Sequence, residues 1–314
     1  MNRVSFVNRW LLAGFLAGFG CIISGCSINR FIMTKAADAL SAGPATVFSG
    51  DDDVELIGDA LPFSLKLYES ILEATPNHPG LLLAAGKVCV TYAFAYIQTP
   101  AEMMKNSEID RQIAQKARAN RMYLRGARYC MRSLQSAHPG FTAAFSGADL
   151  DGYLQREFTK KEDAQILYWT GMAWMGAYSL DNLNIELSIN GSRAVKLITR
   201  SLQLDEAMDG GATHEFFVSY YGALPVVSGG SETKSREHFK RAVELSRGLK
   251  AGPYVSLAAT VCVSTQNRAE FVALLSKALA INPDADPPNR LVNCINQKKS
   301  RWMLDSIEDY FLSE

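Results

Sequence analysis

Histidine is scarce, with four residues in a chain of 314, and no two stand at a spacing that lets them share a metal ion. His214-Glu215 opens like a zinc-protease helix, but Val218 occupies the place of the second imidazole, so His214 reads as a helix-start residue. No Gly-x-Ser-x-Gly presents a nucleophile, no Walker loop cradles a nucleotide and no Gly-x-Gly-x-x-Gly follows a strand. Strand signals are themselves missing, because no segment sustains apolar and polar alternation between hairpin turns. Surplus charge is missing too. The 32 basic residues balance 32 acidic ones, which leaves no strong field for nucleic acid or an anionic surface. None of the six cysteines falls in Cys-x-x-Cys, so no zinc site is spelled out. Gly229-Gly230-Ser231-Glu232 lacks the lysine of a phosphate cradle and reads as a turn with Ser231 capping the next helix. Asp51-Asp52-Asp53 lacks the spaced oxygens of a calcium loop and reads as a solvated helix cap. The expectation is a chain without cofactor, metal or catalytic constellation.

What is present begins at the N terminus. Arg3 and Arg9 precede an apolar stretch from Trp10 to Ile23, roughly 14 residues, too short for the ~20 of a membrane-spanning helix and right for a signal core. Ile23-Ser24-Gly25-Cys26 then reads as a lipobox. Residues 1–25 are the expected signal peptide, Cys26 the expected lipidation site, and residues 26–52 the anchoring segment. Acyl chains on Cys26 would hold the protein to the membrane, since each buried methylene contributes ~0.8 kcal/mol and more than one chain makes the anchor stable. Ser27 after the cysteine favours the outer membrane over the inner, with the chain facing the periplasm.

Residues 53–314 read as one all-α domain. Apolar residues recur three and four apart, predicting helices over Leu61–Thr75, Leu81–Ile97, Ser107–Ser136, Asp163–Leu180, Glu186–Leu204, His214–Leu224, Ser231–Ser246, Tyr254–Thr265, Arg268–Ala280 and Leu291–Leu312. Thr75-Pro76-Asn77-His78-Pro79 ends one helix and starts the next, since proline cannot continue a helix but suits its first turn. The pattern also repeats. Tyr68 stands eight residues before Pro76, Gly86 ten residues after it, and Ala278-Leu279-Ala280-Ile281-Asn282-Pro283 has the same ending. His-Pro-Gly recurs at His78 and His138, and Arg-Ser-Leu-Gln at Arg132 and Arg200. Stacked helical hairpins of degenerate tetratricopeptide type follow, an α-solenoid-like domain with a concave face for a partner.

Cys89, Cys130, Cys262 and Cys294 each sit inside an apolar helical stretch. Four buried thiols and two bridges both fit; if bridges form, Cys262 with Cys294 comes first and Cys89 with Cys130 second. Arg111 to Arg132 reads as a solvated basic helix face. Aromatics cluster on three helices, and their tyrosines belong where an apolar wall meets a polar cavity. Tyr92 and Tyr96, then Tyr168, Trp169, Trp174 and Tyr178, then Tyr220 and Tyr221 are the candidate ligand- or partner-binding residues.

The sequence resembles the TatT component associated with tripartite ATP-independent periplasmic (TRAP) transporters. The resemblance rests on Leu167-Tyr168-Trp169-Thr170 with Ala173-Trp174, His214-Glu215-Phe216-Phe217, and Gly229-Gly230-Ser231 before His238-Phe239-Lys240-Arg241-Ala242. Pro253-Tyr254-Val255, Val261-Cys262-Val263, Gln266, Arg268-Ala269-Glu270-Phe271 and Arg301-Trp302 carry it to the C terminus. Met172 and Met175 depart from the pattern around Trp174, where smaller residues are expected. The resemblance implies no enzymatic activity. It implies a lipoprotein that binds the transporter's periplasmic solute-binding protein, forms a homotrimer around a central pore, and shelters a small apolar or organic-acid ligand. A scaffold for outer-membrane or cell-wall assembly is the alternative for the same repeats.

Overall fold

The computed structural model describes residues 31–42 and 46–312; the expected signal segment and Cys26 lie outside them. Among the described residues every regular element is helical. Helix α1 covers 31–42, α2 Val54–Ala74, α3 Pro79–Tyr92 and α4 Ile109–Ala137. After these come α5 Phe141–Ser146, α6 Leu150–Glu157, α7 Asp163–Leu180 and α8 Ile185–Leu204. The C-terminal part holds α9 Ala212–Ala223, α10 Glu232–Leu245, α11 Gly252–Leu257, α12 Arg268–Ala280 and α13 Arg290–Asp305.

Local chemistry sets most boundaries. The Asp53 carboxylate accepts from the Leu56 N–H at 2.9 Å, so α2 starts earlier than the sequence suggests and carries Pro62 within it. Asn184, Ser231 and Asn267 cap α8, α10 and α12 in the same way, each satisfying an N–H that the helix leaves orphaned. His78 caps α3, its Nδ1 accepting from the Leu81 N–H at 3.1 Å. Two helices, α5 and α6, were not anticipated between Gly140 and Asp163; at six and eight residues they are too short to show a clear period. Helix α1 falls in the expected anchoring segment, and its Ala37 is fully buried against Leu65, Leu81 and Leu82.

Consecutive helices pack as pairs. Gly86 of α3 faces Gly126 of α4, where an added Cβ on Gly86 would strike the Cys130 Sγ. Gly171 brings α7 equally close to Ile198 of α8. Between these pairs, Val90, Tyr123, Ala127, Ala173, Ala177 and Leu187 form one core, and α5 and α6 seal its flank with Phe141, Phe145, Leu150 and Leu154. A separate core around Phe271, Leu275, Val261 and Met303 unites α9 to α13.

The chain then closes on itself. Leu291 and Ile295 of α13 pack with Ile57 and Leu61 of α2 and with Ala95, and Arg290–Asp52 (3.1 Å), Lys298–Glu55 (2.9 Å) and Lys299–Glu102 (3.3 Å) tie the joint. At that joint α3 runs on through a wide π-helical turn, Ala93–Gln98, a distortion that shifts the register of the side chains beyond it.

Candidate functional site

Helices α3, α7 and α9 contribute to one face at which charge and aromatic surface meet. Gly86 is held in the α3–α4 crossing, so Lys87, about 100° further round the helix, turns towards α7. Its Nζ lies over the Trp169 ring, 5.4 Å from the centroid, and Tyr168 meets Trp169 edge-on at 5.6 Å. The turn before α9 is sharp: Asp209 has a left-handed φ of 46°, followed by Gly210 and Gly211 at 64° and 86°. That turn brings the Asp209 charge near both Lys87 and Tyr168. Burial, then Glu215 and Asp209, push the Tyr168 phenol up, and burial pulls the Lys87 ammonium below its usual value against the pull of Asp209. Lys250, 5% exposed, pairs with Glu215 at 3.1 Å and donates to the Asp209 carbonyl at 3.1 Å. Further along, Tyr178 lies close enough to Tyr220 to raise its phenol, after burial and Tyr221.

A second cluster joins α9 to α10. The Nδ1 atoms of His214 and His238 stand 2.8 Å apart, and His214 Nε2 reaches Glu206 at 3.1 Å. One ring donates and the other accepts, so the contact cannot survive protonation of both. Arg241 grips both Glu206 oxygens, at 2.6 and 2.8 Å, and holds that carboxyl down at about 2 through this bond first and His214 further on. Burial, His214 and Lys234 push His238 down to about 4, and burial lowers His214. Phe217 and Tyr221 stack on His238 at 4.9 and 5.6 Å. His214 is indeed at a helix start, but its pairing with His238 was not legible, since the two lie 24 residues apart on different helices.

The eight candidate aromatics divide among four surroundings. Tyr168, Trp169, Tyr178 and Tyr220 belong to the face just described. Tyr92 and Tyr96 stack at 5.8 Å beside the closing joint, where Tyr96 lies against Gly58 and Tyr92 accepts from Arg118 at 3.3 Å. Trp174 stacks on Phe145 at 6.1 Å within the core. Tyr221 belongs to the histidine cluster. Residues of one helix thus serve different interiors, because α7 is packed on several sides at once.

All four described cysteines are free thiols, with Cys89, Cys130 and Cys262 buried. Neither candidate bridge, Cys262–Cys294 or Cys89–Cys130, is formed; burial instead pushes the Cys89, Cys130 and Cys262 thiols up to about 12. The basic stretch of α4 is partly spent on internal contacts, with Arg125 bound to Glu69 and Arg132 to the Pro76 carbonyl. A shallow hollow of about 110 Å³ between α6 and α8, lined by Asp151, Gln155, Lys196 and Arg200 among others, holds none of the aromatics.

These features describe an all-α protein of successive helix pairs, closed end to end, with an aromatic and charged face where α9 comes near α3 and α7. The chain belongs to the TRAP transporter T-component family, whose model matches residues 50–311. It is similar to an uncharacterised protein of Treponema pallidum (strain Nichols), 32% identical over 307 residues, spanning 93% of this chain and 95% of that protein.

Proposed function

We propose that the protein is a non-enzymatic accessory of a TRAP-type solute uptake system that binds the system's periplasmic solute-binding protein. Membership of the T-component family over residues 50–311 is the observation that supports this reading. In this account residues 1–25 direct export, acyl chains on Cys26 anchor the chain to the outer membrane, and the helical domain from residue 53 faces the periplasm. Its helix pairs are degenerate tetratricopeptide repeats, three copies assemble around a central pore, and the face carrying Tyr168, Trp169, Tyr178 and Tyr220 shelters a small apolar or organic-acid ligand.

Affinity capture of the tagged, lipidated protein from gently solubilised envelopes tests the partner. Recovery of a periplasmic solute-binding protein is expected. Recovery of outer-membrane assembly factors or cell-wall enzymes without one would refute the transport reading and favour a scaffold.

A further inference from the structure

Exposed aliphatic side chains gather at one end of the helix stack. The Cys130 thiol meets the Thr170 hydroxyl, and Asn120 donates to the Ala177 carbonyl at 2.9 Å, so α4 and α7 are antiparallel and the first turns of α4 project past the end of α7. Gly171 against Ile198 and Gly191 against Tyr178 make α8 antiparallel to α7 as well. Helix α9 runs the same way as α7, with Tyr168 near Glu215 and Tyr178 near Tyr220. The start of α4, the α7–α8 hairpin and the α9–α10 loop therefore share one end of the molecule. That end carries Ile109, Ile113, Leu183, Ile185, Val226 and Val227, all exposed, Leu183 at 92% and Val227 at 96%. Apolar residues scattered singly over a surface are ordinary, whereas a group of them marks a contact. All six are aliphatic, while the anchors of protein interfaces are mostly Trp, Tyr and Arg. Charges of both signs surround them, Asp110 beside Arg111 and Glu186 beside Ile185, so no single-sign field recruits a charged partner.

Helix α1 relates this end to the membrane. Asp38 bonds to His78 at 3.0 Å and Ser41 lies against Gly80, which places the last turn of α1 at the α2–α3 turn. Ser133 donates to the Pro79 carbonyl at 2.7 Å, so that turn lies beside the last turns of α4, opposite the apolar end. Ala37 is buried among Leu65, Leu82 and Ala85, and Met33 and Thr34 are still partly covered. Helix α1 therefore lies along α2 and α3 and leads from their turn towards the apolar end, with Phe31 ~15 Å from Ser41. That brings Phe31 level with Val90, which packs on Gly126, and so with the contact of Tyr123 and Gly176; Leu183 lies about 10 Å further on. The chain from Cys26 to Phe31 reaches at most ~18 Å. An anchor at Cys26 thus holds the bilayer within reach of the aliphatic side chains.

We propose that this end of the molecule docks on the lipid surface, with Leu183, Ile185, Val226 and Val227 entering the headgroup layer and Ile109 and Ile113 lying against it. This rests on the reading of Cys26 as an acylated anchor. The docked aliphatic groups leave water, which favours contact without anionic lipid, and the α2–α3 turn then points away from the membrane.

The lipidated full-length product is held one chain per nanodisc of neutral phosphatidylcholine, in a Cys294→Ser background that removes the half-exposed thiol. A fluorophore is attached at Leu183→Cys, at Val226→Cys or, at the opposite end, at Asn77→Cys. Lipids bearing a nitroxide just below the headgroup are expected to quench the first two labels strongly and the Asn77→Cys label hardly at all. Adding Leu183→Asp and Ile185→Asp should remove most of the quenching at Val226→Cys, circular dichroism establishing that the variant is folded. Unquenched labels at Leu183→Cys and Val226→Cys, equal quenching at all three sites, or quenching that persists in the folded aspartate variant would overturn the docking. So would labels at the apolar end that are shielded from a water-soluble quencher yet untouched by the lipid nitroxide, because protein would then cover that end. Mass spectrometry of the same sample separates the two ideas. A Cys26 without acyl chains removes the anchor and the docking with it, whereas an acylated chain whose apolar end escapes lipid quenching removes the docking alone.

Discussion

The paired imidazoles of His214 and His238 make a quantitative claim about acid. His238 is held down to about 4 by burial, by His214 and by Lys234, whereas an unfolded histidine titrates near 6.5. Between those values the unfolded chain binds the proton and the folded chain refuses it, so stability is full above about 6.5 and drains away as pH falls towards 4. Each tenfold loss of proton affinity on folding is worth about 1.36 kcal/mol, so the destabilisation between pH 7 and pH 4.5 amounts to about 2 kcal/mol, an upper figure because the ring is partly open to solvent. The groups facing the pair have separate windows. Glu206, at about 2, stays ionised through this range, and Arg241, raised first by its bond to Glu206, stays charged. Replacing His238 by phenylalanine keeps the stack on Phe217 and Tyr221 and removes the titrating nitrogen. The variant starts ~1 kcal/mol less stable at neutral pH, since His214 Nδ1 loses its partner, but between pH 7 and pH 4.5 it should lose about 2 kcal/mol less than the parent, the loss through His214, which burial also lowers, being common to both. Urea unfolding midpoints of both proteins at several pH values measure this. Parallel losses in parent and variant across that interval would refute the reasoning.

Three further outcomes are expected. Gly171→Ala drives a Cβ into Ile198 and should cost about 1–3 kcal/mol, read as a lowered thermal midpoint that Ile198→Val partly restores. Phe271→Ala empties a fully buried ring site in the α9–α13 core and should cost about 3–5 kcal/mol in urea unfolding. Thiol reagents at pH 8 should modify Cys294 well before Cys89, Cys130 and Cys262, and non-reducing mass mapping should find no bridge among these four; a mapped Cys262–Cys294 link would contradict the free thiols of the structure.

Much of the fold was legible in the sequence because it is written locally. Helical periodicity, the proline pair Pro76 and Pro79, and the capping side chains Asp53 and Ser231 act within one or two turns, so neighbouring residues suffice to specify an all-α chain and most of its breaks. Gly86 was legible through its place in the repeat, ten residues after Pro76, and it lies where α3 crosses α4. Tertiary structure alone decided the rest. It set the histidine pair, the separation of Trp174 from Tyr168, the meeting of α13 with α2, and the placing of Lys87 over the Trp169 ring. Each depends on residues far apart in the chain whose approach is fixed by the sum of many helix contacts, and no local pattern carries that sum. Pro62 belongs with these. Its ring reads as the start of a helix, yet Asp53 caps α2 two turns earlier, and packing of Ile57 and Leu61 against Leu291 and Ile295 outweighs the one hydrogen bond that the proline cannot donate.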